Sequence, residues 1–88
     1  MLEDVKKVLG IKNSDDFDGI IQTYINAALA DLKSVGLISS LVVTTDPLIY
    51  SAVMSYVLSL LDTENAELYS NAYSLQKDTL RHLGQYIV

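Results

Sequence analysis

Hydrophobic and polar positions divide this chain into four helical stretches with irregular breaks between them. Leu2, Val5, Val8 and Leu9 recur at three- and four-residue spacing, and Gly10 follows where a C-terminal cap belongs. Glu3 and Asp4 suit the positive end of a helix dipole, and Glu3 stands one turn before Lys7. The pattern predicts a helix over residues 2–9, too short to persist undocked. Asn13-Ser14-Asp15-Asp16 then reads as a cap and an acidic first turn. Phe17, Ile20, Ile21, Tyr24, Ile25, Ala28, Leu29 and Leu32 follow as one stripe, so a second helix is predicted over 15–35, closed by Gly36. Gly19 inside it costs about 1 kcal/mol relative to alanine, or marks a close backbone contact.

Residues 37–45 break that period. Leu37, Ile38, Leu41, Val42 and Val43 are apolar and mostly β-branched, which suits either a short strand or an extended arm. A lone strand leaves its ladder groups unpaired, so the segment must fold back or be covered by a neighbouring chain. Asp46 and Pro47 restart the helix as N-cap and first helical residue, giving a third helix over 47–61. It is apolar nearly all round, softened by the seam Ser51, Ser55 and Ser59, and such a helix is expected to be buried on every side. After Asp62-Thr63-Glu64-Asn65, a fourth helix is predicted over 65–83. Its main stripe is Tyr69, Ala72, Tyr73, Gln76, Leu80 and Leu83; Leu68 and Leu75 lie on a second face. Gly84 stops it, and Gln85, Tyr86, Ile87 and Val88 form an apolar tail, either docked or reserved for a partner. The fold class is all-α: one domain over 1–88, a small bundle of about four helices with an irregular loop between the second and third.

Composition sharpens this picture. Half of the 88 residues are hydrophobic, yet a domain of this size buries only about 60–65% of the surface of its unfolded chain. The surplus points to a partner surface, and the third helix, the 37–43 arm and the tail are where the pattern places it. The net charge of −5, with six Lys and Arg, argues against tight binding to nucleic acid phosphates. No cysteine is present, which excludes disulfides, thiolate metal sites and cysteine nucleophiles. The uncharged run Pro47–Leu61 would span about 22 Å as a helix, short of the ~30 Å hydrocarbon core. Met1-Leu2-Glu3-Asp4 lacks the basic start of a signal peptide. The expectation is a soluble intracellular protein.

Candidate chemistry is sparse. Ser14-Asp15-Asp16-Phe17-Asp18-Gly19 resembles the start of a calcium loop, but its twelfth position is Ile25 where a glutamate is required, so helix capping is preferred. Asp46-Pro47-Leu48 stands where an acyl carrier needs a serine, and proline cannot be esterified. His82 has Asp78 one turn earlier, yet no nucleophile is at hand, and a solvated histidine near a helix C-terminus is the simpler expectation. Lys6, Lys7 and Lys12 read as a solvated basic face. Six tyrosines are many for this length; Tyr24 and Tyr73 fit core stripes, while Tyr50 and Tyr86 lie off them and suit an interface. No cofactor and no enzymatic activity is expected.

Three stretches carry a family likeness. They are Met1-Leu2-Glu3-Asp4-Val5-Lys6 with Leu9-Gly10-Ile11; Ser14-Asp15-Asp16-Phe17-Asp18 with Ile20-Ile21, Ile25-Asn26-Ala27-Ala28 and Leu32; and Asp46-Pro47-Leu48-Ile49 with Ala52-Val53, Tyr56-Val57 and Tyr73. In this order the chain resembles the head–tail connector family of tailed bacteriophages, also described as DNA-packaging proteins. Where many relatives carry an aromatic- and Arg-containing motif, this chain has Leu60-Leu61-Asp62-Thr63-Glu64-Asn65. The resemblance implies a structural subunit of a phage or prophage that forms a ring below the portal protein. Such a ring extends the DNA channel and offers the tail, or a further head-completion protein, a docking surface. On that reading Tyr50, Met54 and Leu58 on the far side of the third helix, with Leu37, Ile38, Leu41, Val42 and Val43, form the subunit interface. Tyr86, Ile87 and Val88 would dock on the portal. The negative charge suits a channel that lets DNA slide without sticking. The place of action would be the virion head–tail junction, and the host cytoplasm during assembly. A small helical regulator or adaptor acting as a dimer shares every predicted helix and is the alternative; stoichiometry separates the two.

Overall fold

A computed structural model describes residues 1–12 and 14–87, and within them the chain forms four α-helices. They are α1 (Leu2–Leu9), α2 (Asp18–Ser34), α3 (Pro47–Leu61) and α4 (Ala66–His82). Short 3-10 turns occupy Ser39–Leu41 and Gly84–Tyr86. No strand occurs among the described residues; an isolated antiparallel bridge joins Leu37 to Ile87.

Capping residues set the helix ends. Gly10 takes the left-handed conformation at φ 74° that a residue with a Cβ resists, and its N–H closes α1 onto Lys6 and Lys7 carbonyls. At α3 the Asp46 carboxylate accepts from the N–H groups of Leu48 and Ile49 at 2.9 and 3.2 Å. The start of α2 departs from the predicted one by three residues. Asp15 and Asp16 are outside the helix, in a turn in which Ser14 Oγ accepts from Asp16 N at 3.3 Å and Asp15 O from Asp18 N at 3.1 Å. That turn uses donors which a cap at residues 13–14 would have directed into a first helical turn. Asn13, part of the expected cap, lies outside the described residues.

The elongated bundle measures 41 × 25 × 18 Å. Its centre is α3, which packs broadly against α4 and α2, while α1 lies across α2 and α3. Ile49, Ala52, Val53 and Val57 of α3 have no exposed surface, and Ile21, Leu32 and Val5 meet them from α2 and α1. Each of these Ile, Leu and Val side chains contributes about 1.5–3 kcal/mol by leaving water. Serines do not prevent the burial of α3, because the helix satisfies them itself. Ser55 Oγ donates to the Ser51 carbonyl at 3.1 Å and Ser59 Oγ to the Tyr56 carbonyl at 2.6 Å. Burial is not total, however: Leu48 and Leu60, at its two ends, stay 47% and 48% exposed.

Residues 37–45 form neither a strand nor an arm. They make a tight loop closed by bonds from Leu41 N to Ile38 O and from Val42 N to Ser39 O. The last residues described lie over this loop. Ile38 N donates to the Tyr86 carbonyl at 2.7 Å beside the Leu37–Ile87 bridge. One part of the chain therefore supplies the covering that another part needs.

Candidate assembly surfaces

Polar residues far apart in sequence decide which apolar surfaces are closed. Three tyrosine hydroxyls each donate to a carboxylate on another element. Tyr50 on α3 reaches Asp4 on α1 at 2.6 Å, Tyr73 on α4 reaches Asp31 on α2 at 2.5 Å, and Tyr86 reaches Asp46 at 2.7 Å. The Tyr73 bond is reinforced by Lys77, whose ammonium lies 3.0 Å from the same Asp31 oxygen and 5.5 Å from the Tyr73 ring centre. Tyr56 meets the Tyr73 ring edge-on, with centroids 5.1 Å apart.

These contacts shift the groups' acidities. The Tyr73 phenol, then Lys77, hold Asp31 below the usual carboxylate range. The Tyr86 phenol and the two N–H groups at the start of α3 do the same for Asp46. The bond to Asp4 raises the Tyr50 phenol and the bond to Asp46 raises Tyr86, while burial ahead of the Asp31 bond raises Tyr73. Lys6 is raised by its bond to Asp18. Its ammonium sits 3.0 Å from that carboxylate and its side chain is 9% exposed, so Lys6 pins α1 to α2 and is not part of a solvated basic face. Lys7 and Lys12 are exposed.

The expected interface residues separate into two groups. Leu37, Val42 and Leu58 are at most 3% exposed and are already covered by their own chain. Tyr50 is half-buried and tied to α1, and Met54 is half-buried against the core. The far side of α3 is therefore not an open face, because α1 is held across it. Ile38 is half-buried, and Leu41 and Val43 remain exposed. The tail assignment changes as well. Tyr86 is buried in the core, bonded through its hydroxyl and its carbonyl; Ile87 keeps an exposed side chain, and Val88 lies outside the described residues. A tail whose aromatic ring is an internal wall does not project toward a partner. His82 is exposed, with Nδ1 2.7 Å from the Asp78 carbonyl oxygen.

Besides these exposed side chains, apolar residues line two surface grooves elsewhere. One is a groove of about 190 Å³ between the start of α3 and the second half of α4, lined by Leu48, Ser51, Leu75, Gln76, Thr79 and Leu80. Leu75 is 71% exposed, and Leu68, two turns earlier on the same face, is 65% exposed. The second groove, about 210 Å³, lies where the end of α3 meets the start of α2, lined by Leu9, Ile11, Phe17, Ile21 and Leu61. Phe17 and Ile20 beside it are 49% and 44% exposed. The Leu68/Leu75 stripe was visible in the sequence as a second face of the fourth helix. Nothing in the spacing of single residues marked Asp4, Asp31 or Asp18 as the partners that close the other faces.

No helix among the described residues is long and apolar enough to cross a membrane. A family model described as "Phage connector protein" matches residues 1–79. No curated protein and no solved structure matches the chain.

Proposed function

The chain belongs to the phage connector protein family, and we propose that it serves there as a structural subunit of a ring between the DNA-filled head and the tail. The family match over nearly the whole chain carries this reading. The ring would sit below the portal protein at the virion head–tail junction, continue the DNA channel and present a surface to the tail or a further head-completion protein. Assembly is its mechanism, with no bond chemistry and no cofactor. Exposed leucines in a bundle whose core is otherwise closed fit a subunit that has copies of itself to meet. The net charge of −5 fits a channel that holds DNA weakly, because like charges repel.

Because Tyr86 is an internal residue, contact with the portal is reassigned from the tail to exposed positions. Electron microscopy of the purified chain incubated with its portal tests the proposal. The expected result is added ring density on the tail-facing side of the portal, with one copy of this chain repeated around the axis. Portals without added density at saturating protein, or a strict two-fold dimer in all conditions, would sink it.

A further inference from the structure

Charge distinguishes the second groove. Asp15 and Asp16 precede its lining residue Phe17, Asp62 follows Leu61, and Glu64 stands in the turn after it. None of these four carboxylates makes an ion pair among the described residues. Asp18 beside them is matched by Lys6 at 3.0 Å. The exposed cations nearby are Lys7 and Lys12, next to or one turn before Ile11, so the rim is left in acidic excess. The end of α3 adds to that excess. Its carbonyls form the negative end of a helix dipole, yet its last turn has no basic residue. In that turn α1 has Lys6 and Lys7, α2 has Lys33, and α4 has Arg81 and His82. Asp62 at the C-cap accepts from Asn65 N and Nδ2 at 3.3 and 3.2 Å, neither of which cancels its charge. An apolar groove with exposed Phe17 and Ile20 beside it is therefore bordered by negative charge that the chain leaves unmatched.

We infer that this groove receives a cationic segment of a protein other than this chain, with an apolar side chain seated against Phe17, Ile21 and Leu61 and flanking lysines or arginines that meet Asp15, Asp16, Asp62 and Glu64. The connector reading above places that protein among the chain's neighbours at the head–tail junction. Complementary charge at the rim gives direction and excludes wrong partners, while the apolar side chain supplies the buried area. Nucleic acid phosphates and anionic lipid headgroups are repelled by the same rim. A second copy lacks the required segment. Of the six Lys and Arg, Lys6 and Lys77 are held by Asp18 and Asp31, and Lys7 and Lys12 adjoin the groove itself. Lys33 and Arg81 have no large exposed apolar side chain within a turn of them along the chain.

Titration of the isotope-labelled chain with a peptide of alternating leucine and arginine, followed by NMR, tests the inference. The amides of Phe17, Ile20, Ile21, Leu61 and Asp62 should shift, and binding should weaken as salt is raised. The double variant Asp16→Lys with Glu64→Lys, both exposed, should bind the peptide about tenfold more weakly. A control with Glu3→Lys and Asp78→Lys changes net charge equally away from the groove and should stay within about twofold of the parent chain. Circular dichroism establishes that each variant keeps its helices. Equal weakening in the control overturns the inference, as do equal binding of a leucine–glutamate peptide, shifts centred on Leu68 and Leu75, or no shifts at all. Shifts of the groove amides with protein concentration alone would identify a second copy as the occupant and overturn it too. The titration needs no portal, so its failure leaves the ring reading standing. If instead unmodified protein forms no ring on the portal, the ring reading fails and the groove's preference for cations survives.

Discussion

The 37–46 loop and the outer face of α4 carry comparable apolar side chains, and Leu37 and Val42 of the loop meet the opposite fate to Leu68 and Leu75, although Leu41 and Val43 stay exposed. Leu37 and Val42 are sealed within the protein, whereas Leu68 and Leu75 stand in solvent. Hydrophobicity does not separate the two regions; polar anchoring does. The loop ends in Asp46, which uses one carboxylate oxygen to cap α3 and the other to accept the Tyr86 hydroxyl. Ile38 N and the Tyr86 carbonyl complete the fastening. A single acidic residue therefore fixes both the start of the central helix and the covering of the loop. The Leu68/Leu75 face has no such fixture: Tyr73 and Lys77 secure the opposite side of α4 to Asp31. What this teaches is that long-range phenol–carboxylate bonds select which apolar surfaces are internal, and the remainder is left for other molecules.

The strongest way to break that comparison is to remove the cover. Tyr86→Ala deletes a ring that is 5% exposed together with its bond to Asp46. The loss expected is about 3 kcal/mol, as for a large aromatic truncated in a core. A urea titration followed by circular dichroism measures it. An unchanged midpoint would mean that the tail is free and that the loop closes without it.

An effect of intermediate size comes from the anchor's charge. Asp31 and Asp46 are held below the ordinary carboxylate range by their phenol and N–H or ammonium partners. The stability they add is present above the unfolded-state pKa, about 4, and is lost as pH falls from there through the lowered folded-state values. At the other extreme the raised phenols add stability that is full below about 10 and fades as pH rises beyond it. Asp46→Asn keeps an acceptor at the cap but neither the charge nor the titration. It should cost about 1 kcal/mol at neutral pH. Denaturation midpoints at pH 7 and pH 3 should lie closer together in this variant than in the parent chain. Equal acid sensitivity would show that Asp46 is not the anchor.

Helix limits were legible in the sequence where local chemistry sets them. Residues 2–9 and 47–61 were predicted and observed, because Gly10, Asp46 and Pro47 act on groups within a turn of themselves. The start of α2 was not, since Ser14 and Asp15 had two local uses and the turn prevailed. The choice between a folded-back and a partner-covered loop, and between a docked and a free tail, stayed open for a different reason. Tyr86 and Asp46 are 40 positions apart, and Tyr50 and Asp4 are 46 apart; a bond at such separation leaves no period in the sequence. Lys6 was read as solvated because a charge on a helix gives no sign of a carboxylate arriving from another helix. Surplus apolar surface was legible as a quantity, but its location depended on those bonds.

The smallest effect tests the other side of the comparison. Leu68→Gln together with Leu75→Gln removes two large apolar groups from α4, as many as Leu37→Gln and Val42→Gln would remove from the loop. Glutamine matches leucine closely in helix propensity, so little is lost through the backbone. Both leucines are already mostly in water, so little burial is lost either. The midpoint of urea denaturation should stay within about 0.5 kcal/mol of the parent chain. A loss above about 2 kcal/mol would mean that these leucines support the monomer's own packing, and the outer face of α4 would no longer be a surface held for a partner. If stability is unchanged while ring formation on the portal is lost, the same two side chains are dispensable for folding and required for assembly. That separation is the property expected of an interface and not of a core.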